Sequence, residues 1–328
     1  MPSSTTDRLT VAGAGVGGLT AAVSLAAHGV ACTVVERAPA LSASGYGIQL
    51  PPNATRVLSA LGLALEAFSS RPVAREIRRW SDGALLGRVP LGDAVVERYG
   101  APYLTLRRAD LLLALYNRFP GVHFGRSWNS DAPVIGADGL HSAVRGSLFA
   151  DPLVPVGHTA YRAVLPPVTG FPPVVTVWLG PGAHVVAYPI PGGLNLVVVG
   201  HTSLDGWHAP VRDLVRAAGP MRGFALYTRP PLPAWHRDGA VVIGDAAHPM
   251  PPFLAQGAAQ AIEDAFALPG FLSDLAAFEA LRRPRTDRVT AASLAGGEEY
   301  HLPDGLLQQR RDERIAAAEL PGQDWLFT

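Results

Sequence analysis

Gly13, Gly15 and Gly18 are spaced G-x-G-x-x-G within "LTVAGAGVGGLTAAVSLAAHGVACTVVER", and Glu36 stands near the end of that stretch. Each glycine answers a different need of a bound dinucleotide. Gly13 permits a tight turn, Gly15 lets the backbone approach a pyrophosphate with no Cβ in the way, and Gly18 allows a helix to pack closely on a strand. The free N–H groups at the helix start then face the phosphates. A carboxylate about twenty residues further on accepts hydrogen bonds from ribose hydroxyls. An acid at this point suits an adenosine ribose without a 2′-phosphate, and FAD and NAD both meet that condition.

A second carboxylate, Asp245, lies in "VVIGDAAHPMPPFLAQGAAQAIEDA" (Val241 to Ala265), between an apolar run and a helix start made of small residues. Pro249, Pro251 and Pro252 fix the path of the loop and withhold N–H groups. Ala255, Gly257, Ala258 and Ala259 are all small, and a helix with its positive end toward the loop would open near Gln256. The simpler reading of Asp245 is a helix cap. Asp138, in "VIGADGLHSAVR", repeats the strand, turn and helix pattern, and its simpler reading is a turn former. His184 and Tyr188, in "WLGPGAHVVAYPI", are four apart, so a strand would put them on one face, with Trp178 upstream. That arrangement would put a polar pair on one wall of the sheet. An ordinary half-buried strand is the alternative. His248 either orders its loop or takes part in chemistry. Arg162, in "AYRAV", either pairs with a substrate carboxylate or ties down a strand.

These residues need elements to hold them. Leu9 to Ala12 and Ala31 to Val35 read as strands flanking a helix from Val16 to His28, which Gly29 stops. "GYGIQLPPNATRVLSALGL" reads as a glycine-rich loop and then a helix capped by Asn53. Glu76 to Leu91 reads as a hairpin turning at Asp82-Gly83, and Leu104 to Phe119 as a strand followed by a helix capped near Asp110. From Asp151 to Trp235, Val-rich strands alternate with Pro and Gly turns, as in an antiparallel sheet. The pattern predicts an α/β fold. Its Rossmann-like nucleotide-binding domain is discontinuous, over residues 1–71, 98–150 and 236–295. An inserted, mainly antiparallel β substrate domain takes residues 72–97 and 151–235, and a helical C-terminal segment takes 296–328. The cleft between the first two is the expected ligand site.

Composition removes several functions. Net charge is zero, so nothing suggests nucleic-acid binding, and no apolar run is long enough for a membrane span. The polar start "MPSSTTD" lacks the features of a signal peptide, and the expected location is cytoplasmic. One cysteine, Cys32, rules out an intrachain disulfide, and no metal-ligand set is evident. All 27 basic residues are arginine, which excludes any mechanism that needs a lysine.

The N-terminal fingerprint with Glu36, "VIGADGLHSAVR" and "VVIGDAAHPMPPFLAQGA" occur together and in that order. In this the chain resembles the single-component flavin-dependent aromatic hydroxylases, the group that includes salicylate, 3-hydroxybenzoate and 6-hydroxynicotinate hydroxylases. The resemblance covers nearly the whole chain, including "AYRAVLP" and "YHLPDGLLQQRRDERIA". It implies a glutathione-reductase-type FAD domain. Gly13, Gly15, Gly18, Glu36 and Arg37 would hold the adenosine half of FAD, Arg107 would lie near the phosphates, and Asp138 would serve FAD and the nicotinamide. Asp245 would bind the ribityl hydroxyls, with Gly257 and Ala258 beside the flavin. It further implies that NADH or NADPH binds transiently, without a second Rossmann domain, and the sequence shows only one fingerprint. Reduced flavin would react with O2 to give a flavin hydroperoxide, which a small phenolic or hydroxypyridine-like substrate attacks, with His184 as base assisted by Tyr188. A monomer or homodimer is expected. The segments from Phe124 to Val134, after Trp207 and after Leu268 are shorter than in the family. A flavoprotein oxidoreductase without oxygen insertion is the alternative, and an FAD-binding protein without activity is a third reading. A flavin-dependent halogenase is disfavoured because it needs a lysine.

Overall fold

The computed structural model describes residues 9–42, 45–129, 133–317 and 324–328. Its strands form two large sheets and a ribbon. The first sheet runs, in spatial order, β14 (His236–Arg237), β15 (Ala240–Val242), β8 (Val134–Gly136), β1 (Leu9–Ala12), β2 (Cys32–Glu36) and β7 (Val122–Phe124). All its pairings are parallel except β14 with β15. The second runs β13 (Arg222–Thr228), β9 (Val154–Leu165), β12 (Gly193–Val199), β11 (Ala183–Ile190), β10 (Val174–Gly180), β4 (Ala74–Arg79) and β5 (Leu85–Pro90). Here only β4 with β10 is parallel. The short antiparallel ribbon pairs β3 (Gly47–Leu50) with β6 (Leu104–Arg107).

The helices are α1 (Val16–Ala27), α2 (Pro52–Ala60), α3 (Asp93–Tyr99), α4 (Arg108–Arg118), α5 (Ala143–Leu148), α6 (Ala209–Ala218), α7 (Gly257–Ala267), α8 (Leu275–Tyr300), α9 (Leu306–Ala317) and α10 (Asp324–Phe327). Helix α1 is buried almost all round because it lies between the first sheet and α7. Its small residues make that possible, since a Cβ on Gly17 would sit 3.3 Å from the Ala261 Cβ. Gly29, at φ +72°, ends it.

The second sheet has two different faces, set by the period-two alternation of its strands. Trp178, Val185, Leu196 and Val198 face Val211 and Leu214 of α6 in one apolar core. On the opposite face the register aligns Arg75, Val175, Tyr188 and Asn195 across four strands, with His184, Val186 and Val177 beside them. This face meets α8, and Val289 packs against Val175 and Val177.

Several sequence expectations need correction. Asn53 is the second residue of α2, not its cap, and its side chain instead reaches the α7 region. Helix α4 begins at Arg108 with Arg107 as cap, so Asp110 lies in its first turn. The stretch from Asp151 to Trp235 contains a helix, α6, and Gly47–Leu50 is a strand, not a loop. A domain limit at residue 295 would cut α8, which is continuous to Tyr300. Trp178 opposes Val185 and so points away from His184. Among the described residues no helix is long and apolar enough to cross a membrane, and no cluster of three His, Cys, Asp or Glu is placed to hold a metal ion.

Candidate active site

Two adjoining cavities, of 280 and 170 Å³, open at the ends of β1 and β8, and both are lined by Gly15, Arg108, Ala137 and Gly139. The first adds Gly13, Glu36, Arg37 and Asp138, and the second adds Asp245, Gly257 and Ala258.

The three fingerprint glycines do three distinct things. Gly13 has φ +101°, and a Cβ there would sit 2.6 Å from the Ala137 carbonyl oxygen. A Cβ on Gly18 would come within 1.9 Å of the Gly13 oxygen. A Cβ on Gly15 would meet nothing within 4 Å, because it would point into the space the two cavities share. Glu36 is held by the N–H groups of Ala14 and Ala38, each 2.8 Å from one carboxylate oxygen. Each oxygen keeps a lone pair for a hydroxyl. Asp138 accepts from the Ser142 hydroxyl and, at 2.7 Å, from the Ala143 N–H, so it caps the entry to α5 while lining the cavity.

Arg107 and Arg108 diverge at the strand-to-helix junction. Arg108 lines both cavities, and its guanidinium has no hydrogen-bonding partner among the described residues. Burial lowers its pKa, Asp245 supports its charge and Arg162 opposes it. Arg107 lines neither cavity, and its guanidinium lies 3.7 Å from where a Cβ on Gly192 or Gly193 would be. Of the two arginines, Arg108 is the one that lines the cavities. Gly18 also lines neither cavity, in keeping with a packing role.

Asp245 is exposed and opens onto the second cavity. The protein around it raises its pKa, against the pull of His248 and Arg108. The turn that carries it is held from behind. Asp264 accepts from the Gly244 N–H at 3.0 Å, His248 Nε2 lies 2.6 Å from the same carboxylate oxygen, and Arg282 Nε donates to the other oxygen at 2.7 Å. Burial alone would raise the Asp264 carboxyl, but His248 and Arg282 hold it far below the usual carboxylate range. His248 thus orders the loop. Arg145, within a motif already singled out but given no role, donates to the carbonyls of Ala246 and Ala247 at 3.0 and 2.8 Å. These two carbonyls are about a hundred residues away, so the sequence offered no signal for them. These features fit FAD: a backbone approach free of side chains, a carboxylate with spare lone pairs, and an unpaired Arg108–Asp245 couple.

A third, smaller cavity of 30 Å³ lies between the second sheet and the proline loop, lined by Gln49, Arg75, His184, Phe253, Ala255 and Tyr300 among others. Ala255 holds a left-handed conformation, φ 54°, which places this turn under strain beside the cavity. His184 is 3% exposed, and burial, then His301, His158 and Arg75, hold its pKa well below the ordinary value. Tyr188 shares the strand face but does not line the cavity. It packs near Gln49 and Asn195, and burial raises its pKa far above the ordinary value. Arg75 donates to the Tyr300 hydroxyl at 2.7 Å and has no carboxylate partner among the described residues. Arg162 lies on the same sheet face but outside the cavity. Sequence reasoning missed Arg75 and Tyr300, whose contact spans 225 residues.

Comparison with known proteins agrees with this geometry. The family descriptions "NAD(P)-binding Rossmann-like domain" and "FAD binding domain" match residues 11–76 and 231–280. A 3-amino-4-hydroxybenzoate 2-monooxygenase of Streptomyces cremeus is 40% identical over 373 residues, covering 98% of this chain and 94% of that protein. A 6-hydroxynicotinate 3-monooxygenase of Pseudomonas fluorescens is 32% identical, covering 88% of this chain and 91% of that protein. The first alignment is longer than the 328 residues here, so it runs through gaps in this chain. Among solved structures, Klebsiella pneumoniae HpxO complexed with FAD and uric acid superposes with TM-score 0.85 at 22% identity, covering 95% of this chain and 93% of that one. A salicylate hydroxylase substrate complex gives TM-score 0.79 at 21% identity, covering 98% and 95%. By sequence and by fold, this chain belongs to the family of FAD-dependent aromatic monooxygenases.

Proposed function

We propose that the enzyme hydroxylates a small aromatic acid that carries a phenolic hydroxyl. The balance is substrate plus O2 plus NAD(P)H plus H⁺ going to hydroxylated product, NAD(P)⁺ and water. FAD, when bound, takes up the reducing equivalents and activates oxygen. Gly13, Gly15, Gly18, Glu36, Arg37, Asp138, Arg108, Asp245, Gly257 and Ala258 form its site. A single buried cysteine and the demand for NAD(P)H suit a cytoplasmic enzyme, and a monomer or homodimer is compatible with the fold.

The observation that carries the substrate class is Arg75. A half-buried guanidinium, with no acidic partner among the described residues and in the same cavity as His184, is suited to a carboxylate, which it can grip through two parallel hydrogen bonds. A substrate held there presents its other end to His184, which takes the phenolic proton. Deprotonation enriches the ring electronically and makes it a better nucleophile toward oxygen. Tyr188 stays protonated and packs beside Gln49, which lines the cavity and accepts from the Tyr103 hydroxyl at 2.7 Å. The cavity is smaller than a ring, so the Phe253 side chain gives way as substrate enters.

The test compares 3-amino-4-hydroxybenzoate with 2-aminophenol, which lacks the carboxylate, as stimulators of NAD(P)H oxidation. A charge-assisted pair is worth roughly 1.5–3 kcal/mol, so the acid should be preferred about ten- to a hundredfold in kcat/KM. Arg75→Leu should abolish that preference. Equal use of the two compounds by the parent enzyme would refute the assignment.

A further inference from the structure

His184, His301 and His158 are strung end to end between the small cavity and the surface. Nδ1 of His184 lies 2.7 Å from Nε2 of His301, and Nδ1 of His301 lies 3.2 Å from Nε2 of His158. All three rings therefore run with the same polarity, Nε2 inward and Nδ1 outward. The order is also one of exposure: His184 is 3% exposed, His301 is 9% exposed and His158 is half-buried. Nε2 of His184 has no protein partner among the described residues, and His184 lines the cavity. The three rings do not converge on a point, so this is not a metal site.

We propose that His301 and His158 form a relay that carries the substrate's phenolic proton from His184 to solvent. The proposal rests on His184 being the base. In the resting chain each ring carries its proton on Nδ1. The substrate O–H bond breaks and its proton goes to His184 Nε2. The Nδ1 proton of His184 passes to His301 Nε2, that of His301 to His158 Nε2, and that of His158 to water. No ring gains net charge, and each ends with its proton on Nε2. Product leaving as the neutral phenol draws a proton back along the chain and restores the first state.

The surroundings keep the chain neutral, so that it passes a proton on without storing it. Burial holds the His301 pKa down to about 4, with His158 and His201 adding to this, and burial also lowers His158. Among the described residues, the charged or titratable groups facing the chain are Arg75 of β4, Tyr300 of α8 and the exposed His201. None is a carboxylate that would trap the proton. Phe253 and the Tyr300 ring pack against His184 at 5.6 and 5.3 Å between ring centroids and keep the path narrow. His301 is fixed by its own carbonyl, which accepts from the Gly182 N–H at 3.1 Å. His301 and His158 are thus positioning residues that act through His184.

The experiment mixes oxidised, FAD-loaded enzyme with 3-amino-4-hydroxybenzoate in a stopped-flow instrument. It reads phenolate absorbance and, with a pH indicator, proton release. His301→Gln and His158→Ala should slow phenolate formation by about tenfold or more, with the final phenolate amplitude and substrate affinity unchanged. Added imidazole should restore the rate of His158→Ala, which a merely structural defect would not allow. Wild-type rates in both variants, or no rescue by imidazole, would overturn the relay. His184→Ala separates the two claims. If it alone blocks phenolate formation, the base assignment stands and the relay falls. If it forms phenolate normally, the base assignment itself fails.

Discussion

Alanine at Gly15 and alanine at Gly18 are the same chemical change three residues apart, and the structure predicts opposite outcomes. Gly15 has φ −76° and ψ −174°, a conformation alanine adopts freely, and its Cβ would meet no atom within 4 Å. Stability of the flavin-free protein should therefore change by no more than about 1 kcal/mol. The new methyl points into the space that the pyrophosphate needs. Pushing the phosphates off the backbone N–H groups loses at least one charge-assisted hydrogen bond, roughly 1.5–3 kcal/mol, which weakens FAD binding about ten- to a hundredfold. At Gly18 the Cβ would stand 1.9 Å from the Gly13 oxygen and 3.3 Å from the Ala137 Cβ. Both neighbours belong to the fold, and one is backbone. The cost should match or exceed the roughly 1–3 kcal/mol of ordinary overpacking. Thermal melts of flavin-stripped protein and fluorescence titration with FAD read the two effects separately. A Gly15→Ala protein that bound FAD with parent affinity, or a Gly18→Ala apoprotein as stable as the parent, would refute this reading.

Asp245→Ala should weaken FAD retention about tenfold or more through loss of charge-assisted hydrogen bonds, without lowering the melting temperature of the apoprotein; flavin release on dilution measures it, and unchanged retention would contradict the role. Asp264→Ala leaves Arg282 and His248 without their shared partner and should cost roughly 3–5 kcal/mol at neutral pH by chemical denaturation. Because the folded-state pKa of Asp264 is depressed, its contribution is full above the unfolded value, about 3.9, and is lost as pH falls below it. The gap between parent and variant should therefore narrow in acid, and a gap independent of pH would count against the ion pair.

What could be read from the sequence was local. The glycine fingerprint works through neighbours in the chain, so Gly13, Gly15 and Gly18 could be given three separate tasks before any fold was known. Asp245 and Asp138 were legible for the same reason, since a short apolar run and a turn place them. One-residue errors arose where a strand becomes a helix. Arg107 and Arg108 are adjacent, but the junction sends one toward Gly192 and the other into the cavities. Asn53 looked like a cap because it precedes an amphipathic run, whereas its side chain bonds Glu263 at 2.6 Å, 210 residues away. Trp178 was put with His184 by proximity in sequence, and the turn between their strands reversed the parity. Arg75, Tyr300 and His301 were not legible at all. They meet His184 only because β4 pairs with β10 and α8 returns across the sheet, and no local pattern records either event.

The most direct test supplies NAD(P)H, FAD-loaded enzyme and 3-amino-4-hydroxybenzoate under ¹⁸O2 and weighs the product by mass spectrometry. The account predicts one labelled oxygen atom in the aromatic product, with one NAD(P)H consumed for each product formed. NAD(P)H oxidation that yields only hydrogen peroxide and an unlabelled ring, across this acid and other hydroxylated aromatic and pyridine acids, would contradict it.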